Sequence, residues 1–254
     1  MDLSKFKRFV EQQALYFCGA RYFEDPFEGE YAWGKIGHER FLDTQGKLCQ
    51  SHGGGMPLDG FMAMNLKTLR DIANNTYISC WHNSAHESEA MWKLYCNDPA
   101  TGIAIRTTQK QLKSQLEQKN LPNLELNSVR YTANFWIKQY NPEPSVFFSK
   151  RISFEYEKEF RAVFREIPHG LIHSMPGKTV PIDISTLVHA VRISPLALPE
   201  LKTEVEGLLH AAGLQIPVET SEIEIHPLIS VDEQIFAQGA GWQHSTVRLK
   251  TNAS

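Results

Sequence analysis

Between Phe148 and Phe164 the chain sets Lys150, Arg151, Glu155, Glu157, Glu159 and Arg161 among aromatic residues. A strand that points a carboxylate and a guanidinium off one face, just after a basic loop, can present charge to a substrate. From Glu159 the pattern alternates. Phe160, Ala162 and Phe164 share one face and Glu159, Arg161 and Val163 the other, the period of a strand with one face in a core. A plainer reading stands beside this one: Glu159 and Arg161 pair on an exposed sheet face and contribute little.

Groups of this kind work only when held by a scaffold. Leu3, Phe6, Phe9 and Val10 recur at helical spacing, which predicts a helix from about 3 to 13, and Ala14 to Cys18 reads as a strand. Pro26 and its acidic neighbours mark a turn over 24–29. Residues 43–60, with Gly53, Gly54 and Gly55, form a long loop, and 66–73 a short helix. Tyr77 to Trp81 is a strand. Ser84 and Glu87 make a capping box before a helix whose core face is Ala90, Met91, Leu94 and Tyr95. Gly102 to Arg106 is a strand, Thr108 caps a polar helix to about Lys119, and Ser128 to Tyr131 is a short strand. The patterns over 178–184 and 187–193 predict two further strands. Pro199 opens a helix lined by Leu201, Val205, Leu208 and Leu209, and Gly213 ends it. Short strands at 215–219 and 222–225 precede a weakly patterned tail after 231. The sum is one α+β domain, with a mixed or antiparallel central sheet flanked by helices.

Composition excludes several classes. The chain has 254 residues, 42% hydrophobic and 22% charged, with a formal net charge of −3. It therefore lacks the basic stripe of a general nucleic-acid binder. Its N-terminus is charged and carries no apolar signal region, and no apolar run is long enough for a membrane span. Cys18, Cys49, Cys80 and Cys96 form no Cys-x-x-Cys clamp and read as mostly buried thiols, so the expected setting is cytoplasmic. His82 and His86 stand four apart without the glutamate of a metalloprotease, so no metal site is expected. Gly177-Lys-Thr179 lacks the earlier glycine of a phosphate loop, and Ser79 has no glycine elbow.

Phe23-Glu-Asp-Pro-Phe-Glu28, Ile78-Ser-Cys-Trp81, Met91-Trp-Lys-Leu-Tyr95, Gly102-Ile-Ala-Ile, Phe148-Ser-Lys150 and Phe154-Glu-Tyr-Glu-Lys-Glu-Phe-Arg161 follow one another in that order. The order resembles a bacterial domain-of-unknown-function family numbered 2971, over roughly residues 9–195. Glu24, Trp81 and Phe160 stand where that family usually has Asn, Phe and Trp, and the family's opening strand is missing. The plan is also similar to that of NAD-using ADP-ribosyltransferases. That likeness implies Glu159, aided by Glu157, as catalytic carboxylates at an oxocarbenium-like centre, Ser79 on the middle strand, and NAD as the cosubstrate. It implies substrate contacts from Asp25, Glu28, Trp92, Tyr95, Lys150 and Arg161. Each has a structural alternative: Asp25 bracing its turn, Trp92 and Tyr95 as helix core, Lys150 as a solvated lysine, Arg161 as a bridge to Glu159 or Glu28. Two function classes follow. One is an enzyme acting on a nucleotide such as NAD. The other is a non-catalytic module of a bacterial defence or stress system that binds a ligand or a protein partner.

Overall fold

Helix α1 (Leu3–Gln12) starts where Asp2 accepts the amide N–H of Lys5 at 2.9 Å, and it stops where Gln13 turns left-handed at φ 46°. Phe6, Phe9 and Val10 form its buried stripe. The left-handed residue turns the chain straight into strand β1 (Ala14–Gly19). The computed structural model describes residues 1–23, 25, 71–96, 98–133, 144–166 and 175–223. The turn expected at 24–29 (Asp25 apart), the glycine loop at 43–60, most of the 66–73 helix, the strand expected at 222–225 beyond Ile223, and the tail after 231 lie outside them.

Five strands build the central sheet: β1, β2 (Thr76–His82), β4 (Glu125–Ser128), β7 (Glu159–Arg165) and β8 (Gly177–Pro181). Their order is β4-β7-β2-β1-β8, and every neighbouring pair is antiparallel. A three-stranded sheet orders β10 (Val218–Thr220), β9 (Ala190–Ile193) and β3 (Ile103–Arg106), with β9 parallel to β10 and antiparallel to β3. Strands β5 (Arg130–Thr132) and β6 (Ser149–Arg151) pair in parallel. Further helices among the described residues are α2 (Glu89–Tyr95), α3 (Gln109–Glu117), α4 (Ile184–Leu187) and α5 (Pro199–Ala211), and residues 71–74 are also helical. This is an α+β fold with an antiparallel central sheet. Among the described residues, no helix is long and apolar enough to cross a membrane.

The main core lies on one face of the central sheet. There Phe17, Tyr77, Phe160, Ala162 and Phe164 meet Phe6 and Phe9 of α1, Leu112 and Leu116 of α3, and Leu201, Val205 and Leu209 of α5. A smaller apolar cluster on the opposite face joins Ala20, Ile78, Val146, Phe147, Phe148 and Val163. Strand β7 therefore feeds two cores.

Several expectations change. Residues 184–187 form a helical turn because the Asp183 carboxylate caps it, accepting from the Ser185 amide at 3.0 Å, so the two strands expected over 178–184 and 187–193 shrink to β8 and β9. The strand expected over 128–131 divides into β4 and β5, and the one over 215–219 is β10. Ser88, not Ser84, caps α2, and the helix buries Trp92 while Leu94 and Tyr95 stay about half exposed. The core face of α2 is thus rotated from the expected one. Among the described cysteines only Cys96 is buried, and Cys80 is exposed.

Gly19 sits where β1 meets a short 3-10 turn, and a β-carbon there would collide with the backbone carbonyl of Met175. A backbone atom cannot swing aside, so Gly19→Ala should lower stability by about 1–3 kcal/mol. Urea unfolding checks this; an unchanged midpoint would mean that the β1–β8 junction yields freely.

Candidate functional site

Strand β7 pairs with β4 and β2 along its edges and meets an apolar cluster on each face, so Glu159 to Phe164 are all buried. The expected one-sided strand is corrected here. The face of Glu159, Arg161 and Val163 is as dry as the face of Phe160, Ala162 and Phe164. Arg161 has no exposed surface, and Glu159, Glu157 and Lys150 retain 5%, 4% and 6%. These charges are therefore held by one another and not by water.

Local structure brings them together. Lys150 is the middle residue of β6, across from Tyr131 of β5. A 3-10 segment, Ile152–Glu157, follows, and Lys158 at φ 43° reverses the chain into β7. The corner returns Glu157 and Glu159 to the Lys150 ammonium, whose Nζ donates to Glu157 Oε2 at 2.5 Å and to Glu159 Oε1 at 2.9 Å. Arg161 grips Glu159 with two prongs, Nε to Oε2 at 2.7 Å and Nη2 to Oε1 at 3.0 Å. Its Nη1 donates to the Phe147 carbonyl at 2.8 Å. Aromatic rings roof both cations: Phe154 lies 4.6 Å from Lys150 Nζ, and Phe23 lies 5.7 Å from the Arg161 guanidinium.

The two acids are driven apart electrostatically. Burial, then a hydrogen bond with Glu159, raises Glu157 to about 7 against the pull of Lys150. Burial also pushes Glu159 upward, but the bonds from Arg161 and Glu157 and the nearby cations outweigh it and hold Glu159 well below the ordinary carboxylate range. One acid is thus a fixed anion, and its neighbour exchanges a proton near neutrality. Tyr95 directs its hydroxyl toward Glu157; burial, followed by the two carboxylates, raises its pKa. The Tyr131 hydroxyl accepts the Glu159 amide N–H at 2.8 Å, and burial pushes this phenol up to about 12. His82, opposite Glu159 in the β2–β7 register, places Nδ1 2.7 Å from the Glu157 carbonyl oxygen and donates to it.

The other expected site residues divide. Asp25 accepts from Arg151 Nη2 at 3.0 Å, and Arg151 also packs on the Phe154 ring, so Asp25 reaches the border of the cluster. Glu28 lies outside the described residues. Ser79 is on the middle strand as expected, yet it pairs with Ala162 and faces the main core, on the side of the sheet away from Glu159 and Arg161. Its hydroxyl accepts from the Trp81 indole at 3.1 Å. Trp92 is buried and donates to Glu87 Oε2 at 3.0 Å. Lys150 is buried, which removes its reading as a solvated lysine.

Glu87 is a hub that periodicity did not reveal. Besides Trp92 it accepts from Arg192 Nη1 at 2.5 Å, Ser221 Oγ at 2.5 Å and the Glu222 amide at 2.9 Å. Arg192 in turn binds Glu219 and Glu222. Tyr131 was legible only as the end of a strand, and His82 only as a weak metal ligand.

A family model described as a protein of unknown function, DUF2971, matches residues 91–162. No curated protein and no solved structure matches the chain.

Proposed function

We propose that this protein, a DUF2971 family member whose matched segment carries Trp92, Tyr95, Lys150, Glu157, Glu159 and Arg161, is an enzyme that transfers a glycosyl or ADP-ribosyl group from a nucleotide such as NAD. The observation that carries this reading is a buried pair of acids, Glu157 and Glu159, bridged by the Lys150 ammonium and clasped by Arg161, a clustering of buried charge concentrated at catalytic centres. Both oxygens of Glu159 are occupied by Arg161 and Lys150. The direct role therefore passes to Glu157, and Glu159 sets its field. In the reaction the bond between nicotinamide and ribose breaks, nicotinamide leaves with the electron pair, and an acceptor nucleophile forms the new bond to the same carbon. The ionised Glu157 takes the acceptor's proton, while negative charge next to the cation-like centre lowers the barrier.

The test is to incubate the full chain with NAD and measure released nicotinamide. Release above a buffer control is expected, and none over the whole pH range from 6 to 9 would reject the reading. The complete burial of Arg161 favours a second reading. In it the cluster is a latch that holds the corner before β7, and the protein is a non-catalytic ligand- or protein-binding module. That reading predicts no nicotinamide release together with a large loss of stability when any cluster residue is changed.

A further inference from the structure

The corner that delivers the two acids is built on an unfavourable residue. Lys158 stands at φ 43°, a left-handed conformation that a residue with a β-carbon resists. Such a turn persists where its surroundings hold it. The Glu159 amide donates to the Tyr131 hydroxyl at 2.8 Å, and the Glu159 carbonyl accepts from the Val129 amide at 2.8 Å. Two more contacts come from the end of β2. Asn83 donates its amide to the Lys158 carbonyl at 2.8 Å, and His82 donates from Nδ1 to the Glu157 carbonyl at 2.7 Å. That bond fixes the tautomer of the ring. The proton sits on Nδ1, and Nδ1 donates whether or not Nε2 is also protonated. The corner therefore needs a donor at this point and not a cation.

A displaced corner would matter to the acids more than to the sheet. Glu157 and Glu159 flank Lys158, so a rotation there swings their carboxylates apart. Both now meet one ammonium, at 2.5 and 2.9 Å from Lys150 Nζ. From Phe160 onward the chain is held separately, by its register with β2. We propose that His82 is a positioning residue: its hydrogen bond to the Glu157 carbonyl sets the corner at Lys158, and through it the convergence of Glu157 and Glu159 on Lys150. The inference rests on the enzymatic reading for its effect on turnover, and on the geometry alone for its effect on the corner.

Hydrogen exchange at single amides of the full chain, followed by NMR, tests the positioning without any substrate. His82→Leu removes the donor and keeps an apolar side chain, whereas His82→Asn restores a donor at the place of Nδ1. In His82→Leu the Glu159 and Asn83 amides should exchange roughly tenfold faster or more, while Val163 and Phe164 keep their protection. His82→Asn should return both amides to within about threefold of wild type. If His82→Leu does not fold, His82→Ala provides the same comparison. Unchanged exchange in the variant without a donor, equal acceleration across β2 and β7, or no recovery in His82→Asn overturns the proposal, since the ring would then only fill space. Where wild type releases nicotinamide, His82→Leu should lower kcat roughly tenfold or more with KM within about threefold, and His82→Asn should recover it. Undiminished release in His82→Leu overturns the inference and leaves the NAD reading intact. A local loss of protection in a protein that releases no nicotinamide leaves the inference standing and rejects the NAD reading.

Discussion

Arg161→Leu is expected to destabilise the protein by about 3–5 kcal/mol. Arg161 has no exposed surface, so the variant removes a fully desolvated guanidinium and the main loss is electrostatic. Glu159, with 5% exposure, would keep Lys150 as a partner but lose both prongs of the guanidinium. An anion taken out of water and left half-paired is among the costliest things a fold can hold. The Phe147 carbonyl would also lose its donor. Urea unfolding measures the effect. The double variant Glu159→Leu with Arg161→Leu should recover much of the loss, since removing both partners of a buried pair is far cheaper than removing one. A single variant within about 1 kcal/mol of wild type would mean that water reaches the cluster and screens it.

Glu157→Gln is expected to reduce nicotinamide release by roughly a hundredfold or more, the usual contribution of a general base. In the unmodified protein the rate should rise with pH through about 7, because the base works only when ionised. Stability follows the opposite course. A carboxyl whose folded pKa is raised from 4.5 to about 7 binds its proton more tightly in the native state. Its contribution is complete below the unfolded value and is lost as pH climbs through the folded one. The melting temperature of wild type, relative to Glu157→Gln, should therefore fall between pH 4.5 and 7 and level off above. Glu159 behaves inversely. Its folded pKa is lowered, so its contribution is present above the carboxylate range and is lost in acid. Thermal melts of Glu157→Gln and Glu159→Gln across pH separate these slopes. Parallel pH curves for wild type and Glu157→Gln, with equal turnover, would remove Glu157 from the site.

Elements with one wet face and one dry face were legible in the sequence. The stripe of Phe6, Phe9 and Val10, the Thr108 cap and the Gly213 stop all appear where local pattern puts them. So does the alternation in β7, because a period of two holds whichever face is buried. What the pattern could not reveal was the environment of the polar face. Glu159 and Arg161 look like a surface pair until Lys150, Phe154 and Phe23 arrive from elsewhere in the chain to enclose them. The rotation of α2 has a similar origin. Leu94 and Tyr95 have the hydrophobicity of a core face, yet the bond from the Trp92 indole to Glu87 turns that ring inward instead. Ser79 lies on the expected strand, and the sequence left open which side of the sheet it faces. Only the register with Ala162 settles which way a strand residue points.

The Glu87 hub gives the site a timetable. Glu87 orients the start of α2 through Trp92, and α2 carries Tyr95 to Glu157. Three of the partners that hold Glu87 in place, Arg192, Ser221 and Glu222, lie more than a hundred residues further along the chain. During synthesis every residue of the Lys150–Glu157–Glu159–Arg161 cluster has emerged once β7 has left the ribosome. The tyrosine that faces it gains its full support only after residue 222 has emerged. The nascent chain thus holds every residue of the acid cluster before it holds the groups that anchor Tyr95 beside them, and translation through Glu222 supplies those groups.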